Sequence, residues 1–140
     1  MGPADWEATL RSRGYRITAQ RLAILHTIAT SRHPTAESIF DHLRHSEPAL
    51  NLSTVYRNLA VLQEVGLVTH AHFGSGAPIY HLADEPPHIH LSCLRCGRVT
   101  SVGPDTAAAF ARRVLADTGF VIDTSHSAVH GLCRECSTSR

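Results

Sequence analysis

The sequence predicts an α+β fold in two domains, residues 1–83 and residues 84–140. Apolar residues recur at helical spacing through most of the first 65 residues, and two short strand-like segments follow them. Beyond Pro86-Pro87 the pattern changes to strands with one helix, and two C-x-x-C pairs appear. With 140 residues, 43% of them hydrophobic, the chain is long enough for one or two small packed domains.

Four helices are expected in the first domain, and each is identified by a capping residue, an apolar stripe or a terminating residue. The first is expected over residues 5–13. The expected N-caps of the other three are Thr18, Thr35 and Ser53. The expected helix ends are Gly14, Ser31 and Gly66. The buried stripe of the fourth helix is predicted to be Val55, Leu59, Leu62 and Val65.

Two short strands are expected after the fourth helix, over residues 67–73 and 78–82. Gly74-Ser75-Gly76 between them is typical of a hairpin turn. A helix, a turn, a second helix and a two-stranded wing together describe a winged helix-turn-helix domain. In helix-turn-helix domains the second helix of the pair enters the major groove of DNA.

The fourth helix is predicted to present polar side chains away from its apolar stripe, namely Thr54, Tyr56, Arg57 and Asn58. Arginine reaches guanine in bidentate fashion, and tyrosine contacts a thymine methyl or a phosphate. An ordinary solvated helix face has the same pattern, so spacing alone leaves both interpretations open. The net charge is only +1, but all 13 basic residues are arginines and seven of them lie in the first 60 residues. This locally basic half suits contact with phosphates.

The second domain is expected to contain strands over residues 88–93 and 98–102, on either side of a Cys96-Gly97 turn. A helix is expected from Asp105 to Asp117, ended by Gly119. Residues 120–132 are predicted to form one strand that leads into the second C-x-x-C pair.

The two C-x-x-C pairs predict a structural zinc site, because each pair turns two thiolates towards one ion and two pairs complete a tetrahedral set. The N-terminus lacks the basic and apolar segments of a signal peptide, and no run approaches the ~20 apolar residues of a membrane span. A cytoplasmic location without membrane attachment is therefore expected, where thiols stay reduced. The predicted zinc ligands are Cys93, Cys96, Cys133 and Cys136.

Three motifs occur in one order along about residues 8–136 and together resemble the ferric uptake regulator family of bacterial metal-dependent repressors. They are Arg16-Ile17-Thr18-Ala19-Gln20-Arg21, Ser53-Thr54-Val55-Tyr56-Arg57-Asn58-Leu59, and His88-Ile89-His90 with Cys93 and Cys96. The resemblance implies a winged-helix DNA-binding domain and a C-terminal α/β dimerisation domain. It also implies a homodimer that binds palindromic double-stranded operator DNA under metal control. Tyr56 and Arg57 would contact the operator, and Arg16 would reach the minor groove.

The resemblance also implies an inter-domain metal site formed by four of the 11 histidines, His33, His81, His88 and His90. His88 and His90 form an H-x-H, which places two imidazoles on one face of a strand. Iron and manganese sensors of the family commonly have carboxylates where this chain has His81, Ile89 and Ser101. An all-imidazole site disfavours manganese and suits nickel, zinc, copper and iron.

A second H-x-H, His70-Ala71-His72, lies on the first predicted wing strand and matches no ligand position of the family. His126 falls near a metal-binding position of the family, but Pro87 and Ile89 replace that site's other ligands. We therefore expect a nickel site formed by His70, His72 and His126, with His130 as a reserve ligand. Exposed strand histidines are the alternative interpretation. Because Ni(II) accepts nitrogen sites with few ligands, the chain resembles the nickel-responsive branch of the family most.

Two alternatives stay open from the sequence. The first is another regulator of the same family, either a zinc- or iron-responsive one or a peroxide sensor, which usually needs an iron site with carboxylates. A small zinc hydrolase would hold its ion with His88, His90 and His126. No H-E-x-x-H is present, however, and Asp84 and Glu85 are the only carboxylates close by in sequence. We therefore predict a nickel-responsive repressor rather than an enzyme, with nickel and zinc as its metals.

Overall fold

The computed structural model describes residues 2–72, 77–86, 88–124 and 127–139. The chain forms two compact units, one made of Met1–His70 and Ala77–Glu85 and the other of Ala71–Gly76 and Pro86–Arg140. Helices and strands are both present in the order that the sequence predicts, except that a short helix over Arg134–Thr138, which was not predicted, ends the chain's regular structure. The α+β fold class is therefore confirmed.

The N-terminal unit contains four helices: α1 (Pro3–Ser12), α2 (Ala19–Thr30), α3 (Ala36–Leu43) and α4 (Leu52–Glu64). Thr18 caps α2 by accepting a hydrogen bond from the Arg21 amide at 3.2 Å. Thr35 caps α3, because its hydroxyl accepts from the Ser38 amide at 3.1 Å. Both caps were predicted and are confirmed.

The predicted cap of α4 is wrong. Asn51, not Ser53, precedes the helix, and its side-chain oxygen accepts from the Thr54 amide at 2.9 Å. An asparagine and a serine two residues apart are equally good capping residues, and the asparagine oxygen is the one that reaches the third amide of the helix. Ser53 therefore lies in the first turn of α4.

One hydrophobic core holds the four helices together. Buried residues come from every helix, and the stripe predicted for the fourth helix is among them. Each fully buried leucine or isoleucine contributes about 1.5–3 kcal/mol of burial free energy. The completely or almost completely buried members are Leu10, Ile24, Leu25, Ile39, Val55, Leu59 and Leu62.

Two strands, β1 (Val68–Ala71) and β2 (Ile79–Leu82), follow the helices and pair with each other. Gly66 turns the chain from α4 into β1 with a φ of 81°, a left-handed conformation that suits glycine. Helices α2 to α4 with this two-stranded sheet have the arrangement of a winged helix-turn-helix. The strands are shorter than predicted, and the predicted Ser75-centred turn lies outside the described residues.

The C-terminal unit contains β3 (Ile89–Cys93), β4 (Val99–Val102), α5 (Pro104–Thr118), β5 (Ala128–Gly131) and α6 (Arg134–Thr138). Its sheet has the order β4-β3-β5, in which β3 is antiparallel to β4 and parallel to β5. Gly119 ends α5 in the left-handed conformation, as predicted.

Two predictions for this unit are wrong. The strand expected over residues 120–132 is shorter, because the described residues of that segment that pair with β3 are 128–131, which form β5. Phe120 and Val121 are 65% and 78% exposed. Helix α5 begins after Gly103 rather than at Asp105, which lies in its first turn.

Among the described residues, no helix is both long and apolar enough to cross a membrane.

Candidate metal centres and nucleic-acid interface

The four cysteines converge at one end of the C-terminal sheet. Cys93 ends β3, Cys96 lies in the following turn, and the other two flank the start of α6. Their four Sγ atoms all lie within 4.8 Å of one another, and those of Cys96 and Cys133 are 3.8 Å apart. Tetrahedral zinc with Zn–S bonds of about 2.3 Å separates its sulfurs by about 3.8 Å. The sulfur set therefore fits a structural zinc ion.

Without a cation, the thiols of Cys93 and Cys136 ionise at very different pH values. The pKa of Cys93 is lowered to about 5, mainly because the Cys133 amide donates a hydrogen bond to its sulfur, at 3.4 Å. The pKa of Cys136 is raised to about 12, mainly by its hydrogen bond with the Cys133 thiol. One thiolate thus forms readily, whereas ionising all four requires a cation to offset their repulsion.

Two arginines near the first cysteine pair form hydrogen bonds with α6, the helix that carries Cys136 of the second pair. Arg98 pairs with Glu135 through two N–H···O bonds of 3.0 and 3.3 Å. Arg95 donates to the carbonyl oxygens of Cys136 and Ser139 at 3.0 and 2.8 Å. The sequence signal for these contacts is the presence of charged residues inside and beside the C-x-x-C pairs.

His88 and His90 bring two imidazole nitrogens together at the start of β3. Their Nε2 atoms are 3.1 Å apart, and His90 is only 1% exposed. Two nitrogens bound to one ion at about 2.0–2.1 Å are separated by about 3.0–3.4 Å. The pair therefore has the spacing of two ligands on one metal.

The other nitrogen of each ring contacts the protein. His88 Nδ1 lies 2.9 Å from the carbonyl oxygen of Pro86, to which it can only donate. His90 Nδ1 lies 3.3 Å from the hydroxyl of Ser101, which is its cross-strand partner. The Pro86 contact places the proton of a neutral His88 ring on Nδ1, which leaves Nε2 as its ligating nitrogen. Nε2 of His90 lies 3.1 Å from it and can bind the same cation when it carries no proton.

His81 lies on β2 in the N-terminal unit, and it is buried. Its Nδ1 is 3.1 Å from a carboxylate oxygen of Glu85. A carboxylate on Nδ1 fixes the tautomer and strengthens Nε2 as a metal ligand. Glu85 is therefore a functional candidate that orients His81, a role that the sequence pattern did not predict.

His33 lies between α2 and α3, with a φ of 51°. A histidine in the left-handed region is uncommon and marks a local constraint. The next residue is held by β2, because the Pro34 carbonyl accepts a hydrogen bond from the Tyr80 amide at 2.9 Å. This bond ties the His33 segment to β2, the strand that carries His81.

The predicted nickel site is only partly visible. His70 lies on β1, where its Nδ1 contacts the Gln63 amide and its ring lies 6.1 Å from that of Tyr80. His72 follows the strand and is exposed. His126 lies outside the described residues, so the meeting of these three histidines stays a prediction. His130 lies on β5 opposite Ser92.

The exposed start of α4 carries Thr54, Tyr56 and Arg57. Arg57 donates to the Thr54 hydroxyl at 3.2 Å, and the Tyr56 hydroxyl donates to Glu37 on α3 at 2.7 Å. The bond to Glu37 raises the pKa of Tyr56, so the ring stays protonated and neutral at physiological pH. Tyr56 and Arg57 both remain exposed to a ligand.

Asn58 does not point away from the core as predicted. It is 8% exposed, and both ends of its amide are used within the domain. Its Oδ1 accepts from Arg21 Nε, and its Nδ2 donates to the Thr54 carbonyl, each at 3.0 Å. A polar residue with two internal partners is buried at little cost, so its side chain is turned inward rather than towards DNA.

A groove of about 390 Å³ lies between the start of α2 and the start of α4. Arg21 and Arg57 line it, together with Thr18, Gln20 and Thr54. Arg16 is exposed near this groove, and its carbonyl accepts from Arg21 Nη1 at 2.7 Å. Basic and polar side chains at the exposed end of the recognition helix of a winged-helix domain are suited to contacting DNA phosphates.

For a metal ion that His81 binds, replacing Glu85 with glutamine should weaken the affinity by about 10–100-fold, the usual effect of losing a carboxylate behind a ligating histidine. Glutamine can still accept a hydrogen bond but carries no charge. Competition with a chelator measures the change. The exposed Asp41→Asn variant is the matched control. Unchanged metal affinity in Glu85→Gln would show that the carboxylate does not support a ligand.

Sequence comparisons agree with these features. A profile described as the ferric uptake regulator family matches residues 12–130. The chain is 32% identical over 134 residues to the ferric uptake regulation protein of Campylobacter jejuni, covering 94% of this chain and 85% of that protein. It is 35% identical over 133 residues to the peroxide operon regulator of Bacillus subtilis, covering 92% of this chain and 89% of that protein.

Solved structures share the fold. The Helicobacter pylori ferric uptake regulator, described as having three functional metal binding sites, aligns with a TM-score of 0.80 at 20% identity, over 97% of this chain and 91% of that one. The Vibrio cholerae ferric uptake regulator aligns with a TM-score of 0.72 at 28% identity, over 91% of this chain and 98% of that one. The first likeness establishes the fold alone.

Proposed function

Because the chain belongs to the ferric uptake regulator family, we propose that it is a repressor whose operator binding is controlled by nickel. Members of this family are metal-responsive transcriptional regulators rather than enzymes, and they bind operator DNA as dimers. The zinc hydrolase considered from the sequence is therefore set aside.

The pair His88 and His90 carries the proposal of metal control. Their Nε2 atoms are 3.1 Å apart while both Nδ1 atoms contact the protein. We propose that His33 and His81 complete this set and that the four imidazoles bind one regulatory ion. His81 is already oriented by Glu85, and the His33 segment is tied to β2.

Metal control is a coupling between two binding events. A metal that favours the DNA-binding arrangement raises operator affinity, and operator DNA must then raise metal affinity by the same factor. Exposed α4 side chains supply the DNA contacts in this proposal, with Tyr56 and Arg57 at the operator and Arg16 in the minor groove. Thr54 supports Arg57 through their 3.2 Å hydrogen bond.

Among the described residues of the C-terminal unit, seven large apolar side chains are exposed in the single chain. An exposed apolar patch, where such side chains are contiguous, usually marks a protein interface. We propose that it includes the face by which two copies associate, which would set two α4 helices on a palindromic operator. The seven residues are Leu94, Phe110, Leu115, Phe120, Val121, Val129 and Leu132.

Nickel is proposed because the chain has more histidines than the four that the inter-domain site of the family would use. His70 and His72 form a second H-x-H on and beside β1, and imidazole without carboxylate ligands suits nickel better than manganese. We propose that His126 completes this set. Iron is the second candidate, because Glu85 brings a carboxylate next to His81 and the related proteins named above are regulators of iron uptake and of a peroxide operon.

The double variant His70→Ala with His72→Ala tests the choice of nickel. We expect it to lose nickel-stimulated operator binding yet keep one non-thiolate metal per chain, because the four-histidine set is intact. Nickel titration of operator binding and elemental analysis measure the two quantities. His42→Ala with His45→Ala, on exposed positions at the end of α3 and just beyond it, is the control. A wild-type nickel response in the first variant would exclude the extra site.

A further inference from the structure

The segment between α1 and α2 carries Arg16, and side chains bind this segment to α4 at two places. We propose that Arg21 is a positioning residue that fixes Arg16 relative to α4. The segment between α1 and α2, which we call the arm, would then meet DNA together with α4 as one preformed surface. The proposal rests on the DNA-binding role proposed above.

The first attachment passes through the guanidinium of Arg21. Nε donates to Asn58 Oδ1 at 3.0 Å, and Nη1 donates to the Arg16 carbonyl at 2.7 Å. Asn58 continues the connection, because its Nδ2 donates to the Thr54 carbonyl at 3.0 Å. A chain of three hydrogen bonds thus runs from the backbone of the arm to the first turn of α4.

Burial makes this connection specific. Asn58 is 8% exposed and Arg21 is half-buried, so water competes poorly for their hydrogen bond. Arg21 also belongs to α2, and its amide donates to the capping oxygen of Thr18. The residue that holds the arm is therefore itself held by the helix that follows the arm.

The second attachment lies at the other end of α4. The Tyr15 hydroxyl donates to Glu64, the last residue of that helix, at 2.7 Å. The Arg21 guanidinium lies over the Tyr15 ring at 5.6 Å from its centre. Arg21 therefore contacts Asn58 on α4 and Tyr15 in the arm. The arm is attached to α4 near both ends of that helix.

This arrangement suits a reader that contacts two grooves. A contact in the minor groove and a contact in the major groove must keep a fixed spacing, and a segment ordered beforehand binds more tightly than one ordered on binding. The exposed side chain of Arg16 is carried by a backbone whose carbonyl Arg21 fixes. Arg21 thereby acts on DNA through Arg16 and α4.

Arg21→Lys tests the proposal, because lysine keeps the charge but cannot make two directed bonds from a planar fork. The probe is a DNA duplex selected from a random pool by the wild-type metal-loaded protein. We expect about tenfold weaker binding, the effect of losing one charge-assisted hydrogen bond. We also expect Arg16→Ala to weaken binding much less in the Arg21→Lys background than in wild type. Arg112→Lys, an exposed arginine of the C-terminal unit, is the control.

Tyr15→Phe is a second, independent test, because it removes only the hydroxyl bonded to Glu64. This variant should also reduce the effect of Arg16→Ala on DNA binding. Metal content and thermal unfolding show whether each variant is folded. Wild-type affinity in Arg21→Lys, or an Arg16→Ala effect of equal size in all backgrounds, would overturn the positioning role. If the wild-type protein selected no duplex at all, the proposed function would fail instead.

Discussion

Replacing His90 with alanine is expected to remove most of the metal stimulation of operator binding, which for coupled sites amounts to about 5–150-fold. The imidazole is 1% exposed, its Nε2 faces that of His88 at 3.1 Å, and Ser101 contacts its other nitrogen. Alanine removes both the ligand and the orientation. Fluorescence anisotropy of labelled operator DNA, with and without metal, measures the loss.

The four cysteines provide an internal reference for this variant, since zinc bound to sulfur should be retained at one ion per chain. His42→Ala, on an exposed face of α3, is the matched histidine control and should keep the full metal response. A His90→Ala protein that still responds to metal with wild-type affinity would exclude His88 and His90 as the regulatory ligands.

Replacing Cys96 with serine is expected to release the sulfur-bound zinc and to unfold much of the C-terminal unit. Structural zinc in small domains contributes about 10–16 kcal/mol of apparent binding free energy, and three sulfurs hold it far less well than four. The dimer should dissociate with the unit. Zinc content under reducing conditions, thermal unfolding and sedimentation measure these effects.

Ser137→Ala is the control for the cysteine variant, because it lies on α6 beside Cys136 and supplies no ligand to the sulfur set. It should keep wild-type zinc content. Equal zinc in Cys96→Ser and in the unaltered protein would mean that the four sulfurs do not share a zinc ion, despite their separation of less than 4.8 Å.

The sequence predicts local features well where one residue determines them. Thr18 and Thr35 cap their helices, and Gly119 ends α5. Where two residues could serve, the choice depended on geometry, so Asn51 rather than Ser53 caps α4. Capping chemistry alone does not distinguish them.

Features that depend on distant partners were less predictable. Apolar residues at 120–122 suggest a strand, but strand formation needs a neighbour, and the described residues of that segment that pair with β3 are 128–131. The sequence pattern predicts that Asn58 points outward because it is polar. Its burial depends on a hydrogen bond with Arg21, which lies 37 positions away in the sequence. Ser101 reaches His90 only because the register of β3 and β4 places them opposite each other.

The candidate metal chemistry was predictable in kind. C-x-x-C and H-x-H spacings fix which ligands lie close together, because they act over two or three residues. The groups that hydrogen-bond to the ligating histidines were not predictable. Glu85 contacts Nδ1 of His81 and the Pro86 carbonyl contacts Nδ1 of His88, and sequence spacing does not define the turn that brings them there.

The most direct test of metal control is the linkage between nickel and operator DNA in the zinc-containing dimer. Calorimetry would give the nickel dissociation constant with and without operator, and anisotropy would give the operator dissociation constant with and without nickel. Coupling predicts that both constants fall by the same factor, about 5-fold or more. An operator affinity that is the same with and without nickel, together with a nickel affinity unchanged by DNA, would contradict the account.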